Sequence, residues 1–307
     1  MKSEVKGINS SEFIIEDTEF LSKDKSVMVP MTIIRHKSVK RDGTAHALLY
    51  AYGGFGVIVD HSFQPDIIPC LSKYKIVFAV AYIRGGGELG EGWHHAGKGP
   101  KKKNSFDDFV SAALHLATEN YTSRGKIAIL GGSNGGLLVG ATYNIAPDGL
   151  LGAAISKVGL LDMIRYRILN KDSGWEDEYG DPEEAKSFDY ILSYSPYHNV
   201  ANLKTYPSIM LMTGSNDSTV NPAHSFKHVA RLQELCARKE NLCLLRLDSN
   251  AGHGTSLTTK QEIDAAVDMW CFIVHTMGLS RVDAQPRMPV ARATGNSSGT
   301  VFVKANL

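Results

Sequence analysis

A mostly parallel α/β sheet with helices on both faces is predicted by three features of this 307-residue sequence. From residue 46 to residue 279, short apolar runs alternate with segments of helical periodicity, as in strands joined through crossover helices. The runs 47–52 and 76–83 both end in glycine loops, Gly53-Gly54-Phe55-Gly56 and Arg84-Gly85-Gly86-Gly87, and loops of this kind gather at the carboxyl edge of a parallel sheet, where ligands bind. The stretch 126–140 reads as a strand, a sharp turn and a helix, with small residues crowded around Ser133.

Residues 1–45 are polar and mixed, with strand-like alternation only over 27–35, and read as a segment leading into the domain. Residues 57–72 carry no period that decides between strand and helix. Ser105, followed by Asp107 and Asp108, reads as the cap of a helix through about residue 118, with Phe106, Phe109, Val110, Ala113 and Leu114 on its apolar side. After the helix that begins at 134 come a strand at 153–157, an irregular stretch containing Trp175 and Tyr179, and a strand at 209–213. A helix over 222–238, a strand at 242–247 and a last helix over 260–276 complete the domain. Beyond Leu279 the chain turns polar and aperiodic, so 280–307 reads as a disordered tail.

Lysine plus arginine number 33 against 32 aspartate plus glutamate, a balance that offers no field for nucleic acid or an anionic membrane. The run Lys101-Lys102-Lys103 reads as a solvated loop. Cys70, Cys236, Cys243 and Cys271 lack C-x-x-C spacing and sit in apolar or helical surroundings, which predicts buried free thiols and a reducing compartment. No leading apolar core and no apolar stretch of membrane-spanning length is present, so a cytoplasmic location is expected.

Gly131-Gly132-Ser133-Asn134-Gly135 fits G-x-S-x-G, the nucleophile elbow of α/β-hydrolases, in which glycines let strand and helix approach while the serine hydroxyl stays exposed. The competing reading, a phosphate-binding turn, lacks the lysine of a P-loop. A serine hydroxyl needs a histidine to accept its proton and a carboxylate to orient that histidine, in the chain order Ser, Asp, His. Asp217 follows the strand at 209–213 and His253 follows the strand at 242–247. Asp162 and Asp172 compete less well because neither sits so clearly at a strand end, and Asp217 could instead cap the next helix. His94 beside His95, and His224 with His228 at i,i+4, have metal-like spacing, but no H-E-x-x-H accompanies them; neither metal nor cofactor is expected. Two donors are needed for the tetrahedral oxyanion. The backbone N–H of Asn134 is one, and the hydroxyl of Tyr52 is the candidate for the second.

Through Tyr50-Ala51-Tyr52-Gly53-Gly54-Phe55, Ile83-Arg84-Gly85-Gly86-Gly87-Glu88, Gly131-Gly132-Ser133-Asn134-Gly135-Gly136 and Ala251-Gly252-His253-Gly254, residues 25–278 resemble the peptidase domain of the prolyl oligopeptidase family. That resemblance implies a cytosolic serine peptidase cleaving after proline in short peptides. Ser133 is its nucleophile, Asp217 the orienting carboxylate, His253 the base, and Tyr52 with the Asn134 amide the oxyanion hole. It implies a proline pocket at Phe55, Leu160, Trp175, Tyr179 and Val220, where a flat indole suits a pyrrolidine ring; all five could instead be core residues. The related oligopeptidase B carries a glutamate matching Trp175 to meet a basic side chain, so the tryptophan argues for proline, although Glu176 and Asp177 stand next to it. Thr219 replaces an arginine that binds a substrate carbonyl in the family, which weakens peptide positioning or shifts it to another group. The family also inserts a β-propeller; here 1–45 matches only the end of that connection, and 46–279 the peptidase domain. Absence of the propeller implies access for larger chains and an uncovered apolar face open to self-association. Esterase activity, another peptide specificity, or an inactive truncated or interaction domain are the alternative readings.

Overall fold

The computed structural model describes residues 9–60, 66–170, 174–201, 205–235, 241–254, 257–282 and 300–302. Strands β1 (Phe13–Leu21) and β2 (Met28–His36) form an antiparallel hairpin, and Met31 to Ile34 pair antiparallel with β4 (Val77–Ala81). The segment expected only to lead into the domain therefore supplies two strands of its sheet. Its β1 is the outermost strand beside β2; Ile15, Asp17, Glu19 and Leu21 are exposed and alternate with better covered residues, which leaves a weak apolar signal.

The sheet runs β1-β2-β4-β3-β5-β6-β7-β8-β9, with β3 (Ala47–Tyr50), β5 (Ile127–Gly132), β6 (Leu151–Lys157), β7 (Ser208–Gly214) and β8 (Cys243–Asp248) parallel with β4. This is the α/β-hydrolase fold, and the carboxyl ends of β3, β5, β7 and β8 bring four loops to one edge. Alternation across the pleat divides the core: Ile127 and Ile129 enter one apolar cluster, Ala128 and Leu130 the other. The first cluster holds Phe106, Phe109, Leu137, Leu138 and Leu232, from α2 (Lys103–Thr118), α3 (Asn134–Ile145) and α7 (Ala223–Leu235). The second packs Ala265, Met269, Phe272 and Ile273 of α8 (Thr259–Thr276) against the sheet. Thr258 begins α8 with a capping box closed by Gln261. The shorter helices are α1 (Glu91–His95), α4 (Tyr166–Leu169), α5 (Glu176–Tyr179) and α6 (Ala185–Leu192).

Several expectations are revised. Ser105 does not cap α2, which begins at Lys103; Ser105 is fully buried in the first turn and its Oγ donates to the Arg84 carbonyl at 2.6 Å, satisfying a loop acceptor removed from water. Lys101-Lys102-Lys103 is not a solvated loop, since Lys102 is fully buried against Glu178 at 2.7 Å. Cys70 and Cys243 are buried, whereas Cys271 is exposed on α8; Cys236 lies outside the described residues. In the stretch 57–72 that carried no period, 61–65 lie outside the described residues, and Cys70–Tyr74 forms one π-helical turn. The segment expected to be a disordered tail contributes β9 (Thr300–Phe302), antiparallel to β8; 283–299 and 303–307, like Asp172 and positions 236–238 of the helix expected over 222–238, lie outside the described residues. Among the described residues no helix is long and apolar enough to cross a membrane.

Candidate active site

Ser133 stands between β5 and α3 at φ 57° and ψ −117°, a conformation that an L-residue keeps only when its surroundings enforce it. They do so by close approach. A Cβ on Gly131 would lie 2.2 Å from the Gly135 carbonyl oxygen, and one on Gly136 would lie 2.6 Å from Gly159 Cα. The Ser133 N–H donates to Lys157 O at 2.8 Å, tying the turn to the end of β6.

His253 Nε2 is 3.0 Å from Ser133 Oγ, and its Nδ1 is 2.8 Å from Asp217 Oδ2. Asp217 is buried, and its Oδ1 accepts the N–H groups of Thr219 (2.9 Å) and Val220 (2.8 Å), which leaves Oδ2 for the histidine. This division favours the tautomer with the proton on Nδ1 and the lone pair on Nε2 facing the serine. The loops after β7 and β8 are joined directly: Ser215 N donates to Asp248 O (2.9 Å), Asn216 N to Ala251 O (2.9 Å) and Asn250 N to Ser215 Oγ (2.8 Å). A Cβ on Gly214 would fall 2.3 Å from the Ala251 oxygen, so only glycine permits this junction.

Tyr52 and Ser133 line the same cavity, and burial pushes the Tyr52 phenol above its ordinary pKa, so it stays a protonated donor. The Asn134 amide lies in the first turn of α3, where backbone N–H groups lack intrahelical acceptors. Its side chain is buried, Nδ2 donating to Tyr52 O at 2.6 Å and Oδ1 accepting from Tyr179 Oη at 3.1 Å. One asparagine thus links both oxyanion candidates to the aromatic wall.

Within that wall the Phe55 ring centroid lies 6.4 Å from Trp175 and 5.6 Å from Tyr179, both edge-on, and Trp175 stacks on Tyr166 at 6.4 Å. Leu160 and Val220 do not join these ring contacts; they are 1% and 2% exposed and belong to the main core. Behind the wall, Lys102 Nζ donates to Glu178 Oε1 (2.7 Å) and Gly53 O (3.1 Å), and Glu178 Oε2 meets His94 Nε2 at 2.8 Å. Burial lowers the Lys102 pKa, and the Glu178 charge opposes that shift. The acidic neighbours of Trp175 are both engaged, Glu176 with Arg167 at 2.9 Å and Asp177 with Lys98 at 2.7 Å.

The competing groups have other work. Asp162 is fully buried and paired with Lys227 and Arg165. His224 Nδ1 accepts from Asp162 N, and His228 Nε2 meets the Tyr143 hydroxyl.

The sequence matches the Prolyl oligopeptidase family over residues 62–280. The chain belongs to that family. It is 42% identical to prolyl oligopeptidase A of Amanita bisporigera over 93% of its own length and 38% of the relative's. It is 41% identical to a prolyl endopeptidase of Elizabethkingia miricola over 89% of its length and 38% of that protein's. Prolyl oligopeptidase B from Galerina marginata, solved with a 35mer hydrolysis and macrocyclization substrate, superposes with a TM-score of 0.87 at 40% identity, covering 91% of this chain and 39% of that one. The chain thus spans under two-fifths of the length of these prolyl oligopeptidase relatives.

Within this prolyl oligopeptidase domain, sequence reasoning missed two lysines. Lys102 was hidden in a basic run, and only its partner Glu178, 76 residues away, reveals its burial. Lys157 ends β6 beside the elbow and lines a cavity of about 1360 Å³ that reaches from Ser133 and His253 to α8, with none of Phe55, Trp175 and Tyr179 in its lining. Its place at the carboxyl edge of the sheet was the available signal.

Proposed function

We propose that this chain is a serine peptidase that cleaves after proline in short peptides through an acyl-enzyme on Ser133. The observation that carries this reading is the chain of contacts Asp217–His253–Ser133 around a strained elbow serine, with Tyr52 lining the same cavity. His253 Nε2 takes the Ser133 proton as Oγ attacks the carbonyl, and Asp217 holds the imidazolium that forms. The Tyr52 hydroxyl and Asn134 N–H receive the oxyanion, the amine departs with the proton from Nε2, and water activated by the same nitrogen hydrolyses the ester. Phe55, Trp175 and Tyr179 offer apolar ring faces to a pyrrolidine that has no N–H to satisfy, with Leu160 and Val220 supporting the pocket from the core. A basic side chain would find Glu176 and Asp177 already paired, which favours proline over arginine. Self-association through an uncovered apolar face is to be read from the sedimentation coefficient as concentration rises.

The test is hydrolysis of a short peptide with proline before the scissile bond beside the same peptide with arginine there. Proline-selective turnover that disappears in Ser133→Ala is expected. Equal turnover by Ser133→Ala would refute the mechanism, arginine preference would refute the pocket, and Ser133-dependent cleavage of simple esters alone would move the function to an esterase.

A further inference from the structure

In acyl transfer the departing amine takes its proton from His253 Nε2, so the leaving half of a substrate must lie on the His253 side of Ser133. That side is the cavity walled by Gly252, His253, Gly254 and α8. Its surface is largely apolar, with Pro69, Leu257, Val267, Trp270 and Val274 contributing, and Lys157 is its lysine. The Lys157 carbonyl holds the Ser133 N–H at 2.8 Å, which roots this side chain one hydrogen bond from the nucleophile.

Lys102, Lys98 and Lys227 all have carboxylate partners within ion-pair distance, whereas Lys157 has none among the described residues. Asp66 attracts it and Arg246 repels it; burial dominates, pulling its pKa down. The other carboxylates on the wall are placed elsewhere, Asp248 held by Arg246 and Glu262 exposed on α8. A cation partly withdrawn from water without an ion-pair partner gains from an incoming anion. Resting on the reading of Ser133 as nucleophile, we infer that Lys157 receives the terminal carboxylate of a short leaving peptide, so that the enzyme prefers substrates that end a few residues after the cleaved bond.

Two proline peptides identical except for a free or amidated carboxyl end distinguish the outcomes. The free acid is expected to have a kcat/KM about tenfold higher, carried by KM and reduced by salt, as a charge-assisted contact gives. In Lys157→Met the acid-to-amide ratio falls to about one, and Lys157→Arg restores it; thermal unfolding verifies that each variant is folded. Ser133-dependent cleavage with no acid preference, or a preference that survives Lys157→Met, overturns the inference and leaves the peptidase reading intact. If neither peptide is cleaved, the peptidase reading fails first. Calorimetric titration of Ser133→Ala with the leaving peptide as acid and as amide then decides, tighter acid binding lost in Ser133→Ala/Lys157→Met supporting the Lys157 site and equal binding refuting it.

Discussion

Tyr52 offers a hydroxyl to the space beside Ser133 that no backbone group replaces. Tyr52→Phe keeps the ring and removes that donor, so kcat should fall by roughly 10²–10³ with little change in KM, as loss of one oxyanion donor does. Steady-state kinetics on a proline peptide check this; an unchanged kcat would remove Tyr52 from the hole. Asp217 acts through the tautomer of His253, because its Oδ1 is already filled by two N–H groups. Asp217→Asn should leave the fold intact and lower kcat by about 10⁴-fold. Retained circular dichroism with lost turnover is the expected pair of results. Ser133, Asp217 and His253 were legible in the sequence because each sits where a strand ends, and a short apolar run before a glycine is a local signal. Lys157 also ends a strand, but its chemistry depends on which ion pairs it lacks, a property of the surrounding fold.

The element that positions the aromatic wall is the short helix α5 with its buried salt bridge to the start of α2. Lys102→Met leaves Glu178 buried with only His94 beside it, and should cost about 3–5 kcal/mol in urea unfolding. Lys102→Met/Glu178→Leu should regain most of that loss, since an apolar pair has no unpaired charge to desolvate. If the double variant is as unstable as the single one, the salt bridge contributes more than charge compensation. Strand and helix order from β3 to α8 could be read from periodicity, whereas β1 could not, because only one face of this outer strand is covered. The cap assigned to Ser105 failed for a related reason: the residue type suited an N-cap, and a buried carbonyl 21 residues earlier claimed its hydroxyl.

Across the whole molecule, acid sensitivity follows from histidines that are buried neutral. Burial lowers His224 to about 4 and His228 to about 3, whereas the unfolded chain binds those protons near pH 6.5. Below pH 6.5 the unfolded state therefore holds more protons than the folded one, and stability falls by about 1.4 kcal/mol per pH unit for each histidine. The decline has both contributions down to about pH 4, where folded His224 itself takes up a proton. Denaturant melts from pH 8 to pH 4 should show a plateau above 7 and a slope below 6.5, and His228→Asn should remove part of that slope. A stability independent of pH across this range would contradict the burial of these rings.

The hydrogen bond between Ser133 and His253 joins residues 120 positions apart. On the ribosome, which releases the amino-terminal part first, Ser133 emerges as an ordinary alcohol with no base to activate it. Competence arrives only when the loops after β7 and β8 have both been made and have closed on each other. On the proposed function, a nascent chain is thus chemically silent toward its neighbours, and the hazard of a peptidase at work beside unfolded polypeptide is deferred until its own domain has folded.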